Sequence, residues 1–295
     1  MSKVLPGYGG IEAGGTKFCC IVASPDGGIL ARARIDTTTP DATIPRVIEF
    51  FAKHPVRAAG LACFGPIDID RASATYGYIT NTPKRAWIQY NILGELKRAM
   101  PVPIGFHTDV VGAALAEQRW GAGIGKDSIL YITVGTGIGG GFVYKQKPLD
   151  TAFHGELGHV FVARDPKDTF AGVCPYHADC LEGLASGPAI ETRWGVRAES
   201  LPEAHPAWEL EARYLALAIV NFIFTLAPAR IVLGGGVFHK EGLIERVREN
   251  VIQQIGGYGS FGELTPQMNE YIVKPALGDD SGALGGVALA MDAAK

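Results

Sequence analysis

The sequence predicts an α/β protein made of two similar halves, because the same strand–turn–strand pattern occurs twice. Residues 12–17 read Glu-Ala-Gly-Gly-Thr-Lys and residues 135–140 read Gly-Thr-Gly-Ile-Gly-Gly, and each stretch separates two short apolar segments. Helical segments and further apolar runs follow in both halves. This pattern is typical of a duplicated α/β unit with a cleft between its halves.

Length and composition narrow the class of protein. The 295 residues suit one large or two moderate domains, and 47% of them are hydrophobic, which supports a substantial core. The net charge of −3 and the lack of a basic block argue against nucleic acid as a partner. Without a long apolar run or a secretory signal, we expect a cytoplasmic protein with no membrane partner.

The first half is expected to open with three strands joined by tight turns. Asn91 is expected to cap a helix, and another helix should begin at His107-Thr108-Asp109, where a strand ends. In chain order, the predicted strands are 9–13, 18–23, 29–35, 58–62 and 103–106, and the predicted helices are 43–53, 91–100 and 109–120.

The second half repeats this opening. Gly234-Gly235-Gly236 follows a short buried strand and precedes a helix, and Ser281 is expected to cap the last helix. In chain order, the predicted strands are 128–134, 142–145, 231–233 and 272–275, and the predicted helices are 208–226, 241–255 and 281–293.

Four residues have the chemistry and spacing of a metal site. Cys174, His177 and Cys180 lie close together in Cys-Pro-Tyr-His-Ala-Asp-Cys, and His159 lies upstream in Gly-Glu-Leu-Gly-His. They form a Cys₂His₂ set, which is the tetrahedral environment that Zn²⁺ prefers. Four protein ligands leave no open position for a reacting water, so the pattern predicts a structural zinc.

Alternatives remain for these residues. The two cysteines can be core thiols, although the intervening residues favour a turn over a buried strand, or they can form a disulfide, which five cysteines and no secretory signal disfavour. Glu156 and Glu182 lie on either side of the ligands. They are either acidic groups that the zinc holds in a pocket or solvated charges on a loop.

The two glycine turns suit an anion. Glycines at 14–15 and 135–139 let a phosphate approach the backbone N–H groups, each turn has a Thr hydroxyl, and Lys17 adds a positive charge. Neither is a P-loop or a dinucleotide fingerprint, since a strand follows each turn. Either turn alone can be a plain tight turn. With a third at 234–236, where a base or ribose can pack against backbone, a nucleotide site is the better interpretation.

Asp109 has two interpretations. It is the right kind of residue for a general base toward a sugar hydroxyl. It can also be an N-cap or first-turn acid, which helix starts favour. Because the helix dipole stabilises a negative charge there, the two roles are compatible.

The chain resembles the ROK sugar kinases, and among them the zinc-containing bacterial fructokinase branch, within the actin/hexokinase/Hsp70 ATPase superfamily. The resemblance covers nearly the whole length. The motifs that carry it are 10–17, 63–68, 108–110, 135–139, 155–159, the Cys/His segment 174–182, 184–190 and 233–237.

The resemblance implies two ribonuclease-H-like domains flanking a cleft, with a zinc-binding loop. Residues 1–115 would form the N-terminal domain, completed by the C-terminal helix 281–295, and 116–280 the second. It also implies ATP with Mg²⁺, a hexose substrate and a homodimer. Asp109 would take the proton from the attacking hydroxyl. The residues implied for the sugar are Gly65, Thr108, Glu156, His159 and Glu182; those implied for ATP are Gly14, Gly15, Thr16, Lys17, Thr133, Gly135, Thr136, Gly137, Gly139, Pro188, Gly234, Gly235, Gly236 and Val237.

The chain departs from the wider family at three places. Glu12 stands where most members have Asp, which bears on how Mg²⁺ or its water shell is held. Thr108 and Val111 replace amide side chains around the expected base, which weakens the case for glucose. The cysteine spacing is Cys-x₂-His-x₂-Cys, as in the fructokinase branch. D-Fructose, phosphorylated at O6, is the expected substrate.

Two other functions remain open. A glucokinase or mannokinase of the same family is one, because the sequence does not separate fructose from glucose or mannose. A sugar-sensing ROK regulator is disfavoured, because the first glycine turn begins at Glu12 and leaves no room for a helix-turn-helix before it.

Overall fold

A computed structural model of the chain describes residues 7–149 and 151–295. The strands are β1 Tyr8–Ala13, β2 Lys17–Ala23, β3 Ile29–Asp36, β4 Ala59–Cys63, β5 Ile104–Thr108, β6 Ser128–Val134, β7 Ile138–Tyr144, β8 Lys147–Pro148, β9 Arg230–Gly234 and β10 Ile272–Val273. The helices are α1 Pro40–Lys53, α2 Ile92–Ala99, α3 Asp109–Trp120, α4 Leu181–Ala185, α5 Gly187–Trp194, α6 Ala207–Leu226, α7 Leu243–Ile255, α8 Met268–Tyr271 and α9 Ser281–Ala293.

Two five-stranded sheets have the same order of strands. The first is β3-β2-β1-β4-β5 and the second, read from its other edge, is β8-β7-β6-β9-β10. In the first sheet β1 pairs antiparallel with β2 and parallel with β4. In the second, β6 pairs parallel with β9. The predicted α/β fold of two similar halves is therefore confirmed.

The chain divides into two compact units. Unit 1 runs from the N-terminal strands to Ile124 and adds Gly141–His154 and Leu277–Lys295. Unit 2 comprises Gly125–Gly140 and Gly155–Ala276. Among the described residues, no helix is both long and apolar enough to cross a membrane.

A row of glycines brings α9 close to the first sheet. Gly10, Gly60 and Gly105 are register partners on β1, β4 and β5. A Cβ atom at any of them would lie 2.0–2.3 Å from a backbone oxygen of α9. The C-terminal helix can therefore cover this face of unit 1 only because the three strands lack side chains there.

Several boundaries differ from those expected. Helix α1 begins at Pro40, since proline suits the first helical position. Strand β7 begins at Ile138, within the glycine run. Ser281 does not cap α9; its hydroxyl donates to Glu117 Oε1 at 2.7 Å and to the Gly278 carbonyl at 2.9 Å. Asn91 caps α2 as predicted, accepting a hydrogen bond from the Gly94 amide.

Candidate active site and metal centre

The first glycine turn, in unit 1, is a tight β-hairpin. The Gly14 amide donates to the Lys17 carbonyl at 3.0 Å, and the Thr37 hydroxyl donates to the Gly14 carbonyl at 2.7 Å. A Cβ at Gly14 would lie 2.7 Å from that Lys17 oxygen, so glycine is required there. Thr16, at the tip of the turn, is exposed. The turn thus presents its backbone and the Thr16 hydroxyl to a ligand.

Glu12 lies at the end of β1, directly before this turn. Burial raises the pKa of its carboxyl from 4.5 to about 7, and the nearby carboxylates of Asp109, Asp279 and Asp280 add to the rise. Lys17 opposes it. Glu12 is therefore a half-buried acid in a negatively charged environment, which no local feature of the sequence indicated.

Asp109 is the first residue of α3, and Thr108 is the N-cap. The Thr108 hydroxyl accepts a hydrogen bond from the Val111 amide at 3.3 Å, and Asp109 Oδ1 accepts one from the Val110 amide at 2.8 Å. Thr108 is buried and Asp109 half-buried. The cap fixes the direction of the helix start and with it the position of the Asp109 carboxylate, which the helix dipole favours in its charged form.

Two histidines, His107 just before Asp109 and His154 close to His107, were not predicted as site residues. His107 Nδ1 accepts a hydrogen bond from the Thr108 amide at 2.8 Å, which places its proton on Nε2. Burial, with a contribution from His154, lowers the pKa of His107 to about 4. His154 Nε2 accepts from the Ile67 amide at 3.0 Å, in the loop that begins with the cis Gly65–Pro66 peptide. His154 thus ties the segment after β8 to the loop that contains Gly65.

The second glycine turn, in unit 2, has contacts at both ends. The Gly135 amide donates to the Gly137 carbonyl at 2.9 Å, and the Gly135 carbonyl accepts from the Gly187 amide at 2.8 Å. At the other end, the Ile138 amide donates to Glu182 Oε2 at 2.8 Å. Thr136 at the tip is exposed. The turn is therefore attached to α5 at one end and to α4 at the other.

The third glycine turn lies beside the second. Gly235 has φ +92°, and a Cβ there would lie 2.5 Å from the Val134 amide nitrogen and 2.7 Å from Thr133 Oγ1. Gly236 begins the 3₁₀ turn that contains the buried Val237. Pro188 is exposed in the first turn of α5. Unit 2 therefore brings together the residues that the sequence assigned to the nucleotide in this half of the chain.

The four predicted metal ligands converge in unit 2. His159, Cys174, His177 and Cys180 each offer one ligand atom, and these atoms all lie within 4.8 Å of one another. His159 Nδ1 is 3.7 Å from the Cys174 sulfur and 3.5 Å from the Cys180 sulfur, and His177 Nδ1 is 3.8 Å from the Cys174 sulfur. The predicted juxtaposition of these side chains is confirmed.

The donor set fits a tetrahedral zinc. Bonds of about 2.3 Å to sulfur and 2.0–2.1 Å to nitrogen hold S and N ligands about 3.6 Å apart in a tetrahedron, which matches the separations of 3.5–3.8 Å. No sulfur–sulfur bond joins Cys174 and Cys180, which are free thiols. Burial, with a contribution from the neighbouring Cys174 thiol, raises the pKa of Cys180.

The segment that holds these ligands, residues 159–180, is called the His/Cys loop here. Its backbone forms a narrow hairpin in which Cys174 and Ala178 exchange hydrogen bonds of 2.9 and 3.1 Å. Two arginines support it. Arg164 pairs with Asp179 at 3.0 Å, and the largely buried Arg193 pairs with Asp168 at 3.1 Å. The loop is therefore ordered by contacts of its own as well as by its metal-ligating side chains.

Glu156 and Glu182 flank the His/Cys loop. Glu182 Oε1 lies 4.0 Å from His159 Nε2, while His159 Nδ1 faces the thiols. Desolvation of the Glu156 carboxyl raises its pKa, His159 opposes the rise, and Glu182 adds to it. The carboxylates of Glu156 and Glu182 therefore share one environment around the His159 ring.

Comparison with known proteins assigns nearly the whole chain to one family. The model of the ROK family matches residues 8–293. The chain belongs to the ROK family. Its fold agrees with a solved structure, the ROK hexokinase of Thermus thermophilus, with a TM-score of 0.79 and 27% sequence identity over 96% of this chain and 97% of that one.

Two curated relatives of this ROK protein are similar over nearly their full length. It is 42% identical to the fructokinase of Zymomonas mobilis, over 97% of both chains. It is 41% identical to the fructokinase of Pediococcus pentosaceus, over 97% of this chain and 98% of the relative. The predicted resemblance to this family and to its fructokinase branch is confirmed.

Proposed function

We propose that this ROK protein is an ATP-dependent fructokinase that converts D-fructose to D-fructose 6-phosphate. One observation carries the proposal: relatives named fructokinase are 41–42% identical over nearly their whole length. The glucokinase of Streptomyces coelicolor, in contrast, is 27% identical over 66% of this chain. The substitution of amide side chains by Thr108 and Val111 favours the same substrate.

Asp109 is the general base of the proposed reaction. The fructose O6 forms a bond to the γ-phosphorus, the bond from that phosphorus to the β,γ-bridging oxygen breaks, and the hydroxyl proton moves to the Asp109 carboxylate. Such reactions depend mainly on positioning and on stabilising charge. The Thr108 cap and the Val110 amide support this assignment, because they fix the carboxylate at the start of α3.

The glycine turns hold the phosphates of ATP in this proposal. In unit 1 the groups are the backbone at 14–15, the Thr16 hydroxyl and Lys17. In unit 2 they are Thr133, the turn at 135–139 and its Thr136 hydroxyl. Mg²⁺ bound with ATP would neutralise charge on the phosphates, and Glu12 is the residue that would hold its water shell. Pro188 and the segment 234–237 flank the adenosine, supported by the contacts between the second and third glycine turns.

Glu156, His159 and Glu182 hydrogen-bond hydroxyls of the sugar, and Gly65 and Thr108 complete the proposed contacts. Zn²⁺ held by His159, Cys174, His177 and Cys180 is structural, since all four ligands come from the protein. When bound, it fixes the orientation of the His159 ring, whose other nitrogen then faces Glu182. We further propose that the enzyme is a homodimer.

A coupled ADP-release assay with fructose, mannose and glucose tests the proposal. The expected result is the highest kcat/KM for fructose, with mannose and glucose lower by about 10- to 100-fold, since one misplaced hydrogen bond costs about 1–3 kcal/mol. A preference for glucose or mannose contradicts the fructokinase assignment and supports a hexokinase of another specificity. If none of the three sugars stimulates ADP release, the protein is not a hexokinase, and a sugar-sensing protein is favoured.

A further inference from the structure

The backbone of Ile138, where the second glycine turn becomes β7, is held on both sides. Its amide donates to Glu182 Oε2 at 2.8 Å. On the other side, a Cβ at Gly158 would lie 1.9 Å from the Ile138 carbonyl oxygen, so the Gly158 backbone packs directly on that oxygen. The Gly137 backbone packs closely on Glu182, since a Cβ at Gly137 would lie 2.6 Å from Glu182 Oε2.

Both residues that hold Ile138 flank the His/Cys loop. Gly158 immediately precedes His159, and Glu182 is the second residue after Cys180, in the first turn of α4. The second carboxylate oxygen of Glu182 lies 4.0 Å from Nε2 of the His159 ring, whose Nδ1 faces the two thiols. A chain of contacts therefore runs from the metal ligands through His159 and Glu182 to the Ile138 amide.

The same segment also holds the beginning of the turn. Helix α4 ends where the Ser186 amide donates to the Glu182 carbonyl, and the next amide, that of Gly187, donates to the Gly135 carbonyl at 2.8 Å. Residues 182–187 thus contact the second glycine turn at Gly135 and again at Ile138. Glycine-rich backbone has little conformational preference of its own, so its shape depends on such external contacts.

We infer that Glu182 is a positioning residue for the second glycine turn. Through Glu182, the His/Cys loop and its metal set the affinity of that turn for nucleotide. This rests on the proposed function, in which that turn binds ATP phosphates. Glu182 donates nothing to the phosphates. It fixes the peptide between Gly137 and Ile138, and with it the direction of the neighbouring amides, by a charge-assisted hydrogen bond.

Binding of the ATP analogue AMPPNP without sugar, measured by calorimetry, tests the inference. In zinc-loaded protein, Glu182→Ala is expected to raise the Kd for AMPPNP by about 10- to 100-fold, the usual cost of losing a residue that orients a binding group. Glu182→Gln keeps an acceptor oxygen and should lose less than Glu182→Ala. Glu191→Ala removes an exposed carboxylate from the neighbouring α5 and should leave the Kd unchanged.

Removal of the metal tests whether the metal and Glu182 act through the same contact. Zinc-depleted wild-type protein should bind AMPPNP as weakly as Glu182→Ala, and depletion of that variant should weaken binding little further, because both changes act through one contact. If Glu182→Ala is purified without zinc, its Kd should equal that of the depleted wild type. An unchanged Kd in Glu182→Ala, or in the depleted wild type, would overturn the inference.

Amide hydrogen exchange at residues 135–139 separates this inference from the proposed function. Faster exchange of the Ile138 amide in Glu182→Ala and in the zinc-depleted protein is expected whether or not the chain is a kinase. If wild-type protein binds no AMPPNP, the proposed function fails, while the exchange data still decide whether Glu182 orders the turn. Unchanged exchange at the turn in both samples rejects the positioning role.

Discussion

The carboxyl group of Glu12 occupies the space that a side chain at position 282 would need. A Cβ built on Gly282, in the first turn of α9, would lie 2.4 Å from the Glu12 carboxyl carbon. Because aspartate is one methylene shorter, a chain with Asp at position 12 would not require this space. The lack of a side chain at Gly282 therefore makes room for the carboxyl group of Glu12.

We expect substitutions at these two positions to be strongly coupled. Gly282→Ala should destabilise the protein by about 1–3 kcal/mol, because the half-buried carboxyl end of Glu12 must move. In a Glu12→Asp background, Gly282→Ala should be neutral or stabilise the protein by about 0.5–1 kcal/mol, since alanine is a better helix former than glycine. Urea denaturation of the four proteins measures the free energies of unfolding.

Glu12→Gln provides the matched control for this pair. Glutamine keeps the length of glutamate but not its charge, so Gly282→Ala should remain destabilising in that background. If Gly282→Ala is no longer destabilising in the Glu12→Gln background, the charge of Glu12 and not its length links the two positions.

Glu12 should make stability depend on pH. Its folded-state pKa is raised from 4.5 to about 7, chiefly by burial and then by Asp109. Between these values the unfolded chain loses a proton that the folded protein keeps. The contribution of Glu12 to the free energy of unfolding is therefore fully present below pH 4.5 and is lost as pH rises through about 7.

Comparison of Glu12→Gln with wild type isolates this effect, because the opposite contribution of His107, whose pKa is lowered to about 4 mainly by burial, is common to both. From about pH 4.5 to 7, the wild type should lose about 1–3 kcal/mol more than the variant. The measurement is urea denaturation across this range without Mg²⁺ or nucleotide. If the free energies of unfolding of the two proteins change in parallel with pH, the pKa of Glu12 is not raised in the folded protein.

Features that the sequence predicted correctly depend on local spacing. Cys174, His177 and Cys180 are close in the chain, and the hairpin between Cys174 and Ala178 brings them together. The glycine turns are likewise local, since a short turn between two apolar strands has few alternatives. His159 was found because imidazole completes the ligand set chemically.

Features that the sequence did not reveal depend on contacts between distant segments. The Glu12–Gly282 contact joins β1 to the last helix, and the Ile138–Glu182 hydrogen bond joins a strand to a helix that was not predicted. His154, bonded to the Ile67 amide, lies in a segment without periodicity. Propensity and spacing carry no information about such pairs, because tertiary packing alone brings them together.

Asp109→Asn should retain the fold and nucleotide binding but lower kcat by about 10²- to 10⁴-fold, the usual contribution of a general base. Asparagine keeps the shape of the side chain and can still accept the hydrogen bond from the Val110 amide. Asp41→Asn, which changes an exposed acid in the first turn of α1, is the control for a helix-start effect. Near-normal turnover in Asp109→Asn would move the base to another residue, with Glu156 and Glu182 tested next.

Cys174→Ser should abolish metal binding, because the Cys174 sulfur faces both histidines, at 3.7 and 3.8 Å. Freshly purified wild type should contain about one zinc per chain by elemental analysis, and the variant almost none, since a serine hydroxyl is a poor zinc ligand. Without the metal the His/Cys loop should lose protection from hydrogen exchange, and turnover should fall with it. Cys19→Ala, at a cysteine in β2 outside the metal cluster, should keep its zinc. Wild-type protein without zinc, or a Cys174→Ser variant that retains it, would rule out the ligand set proposed for this loop.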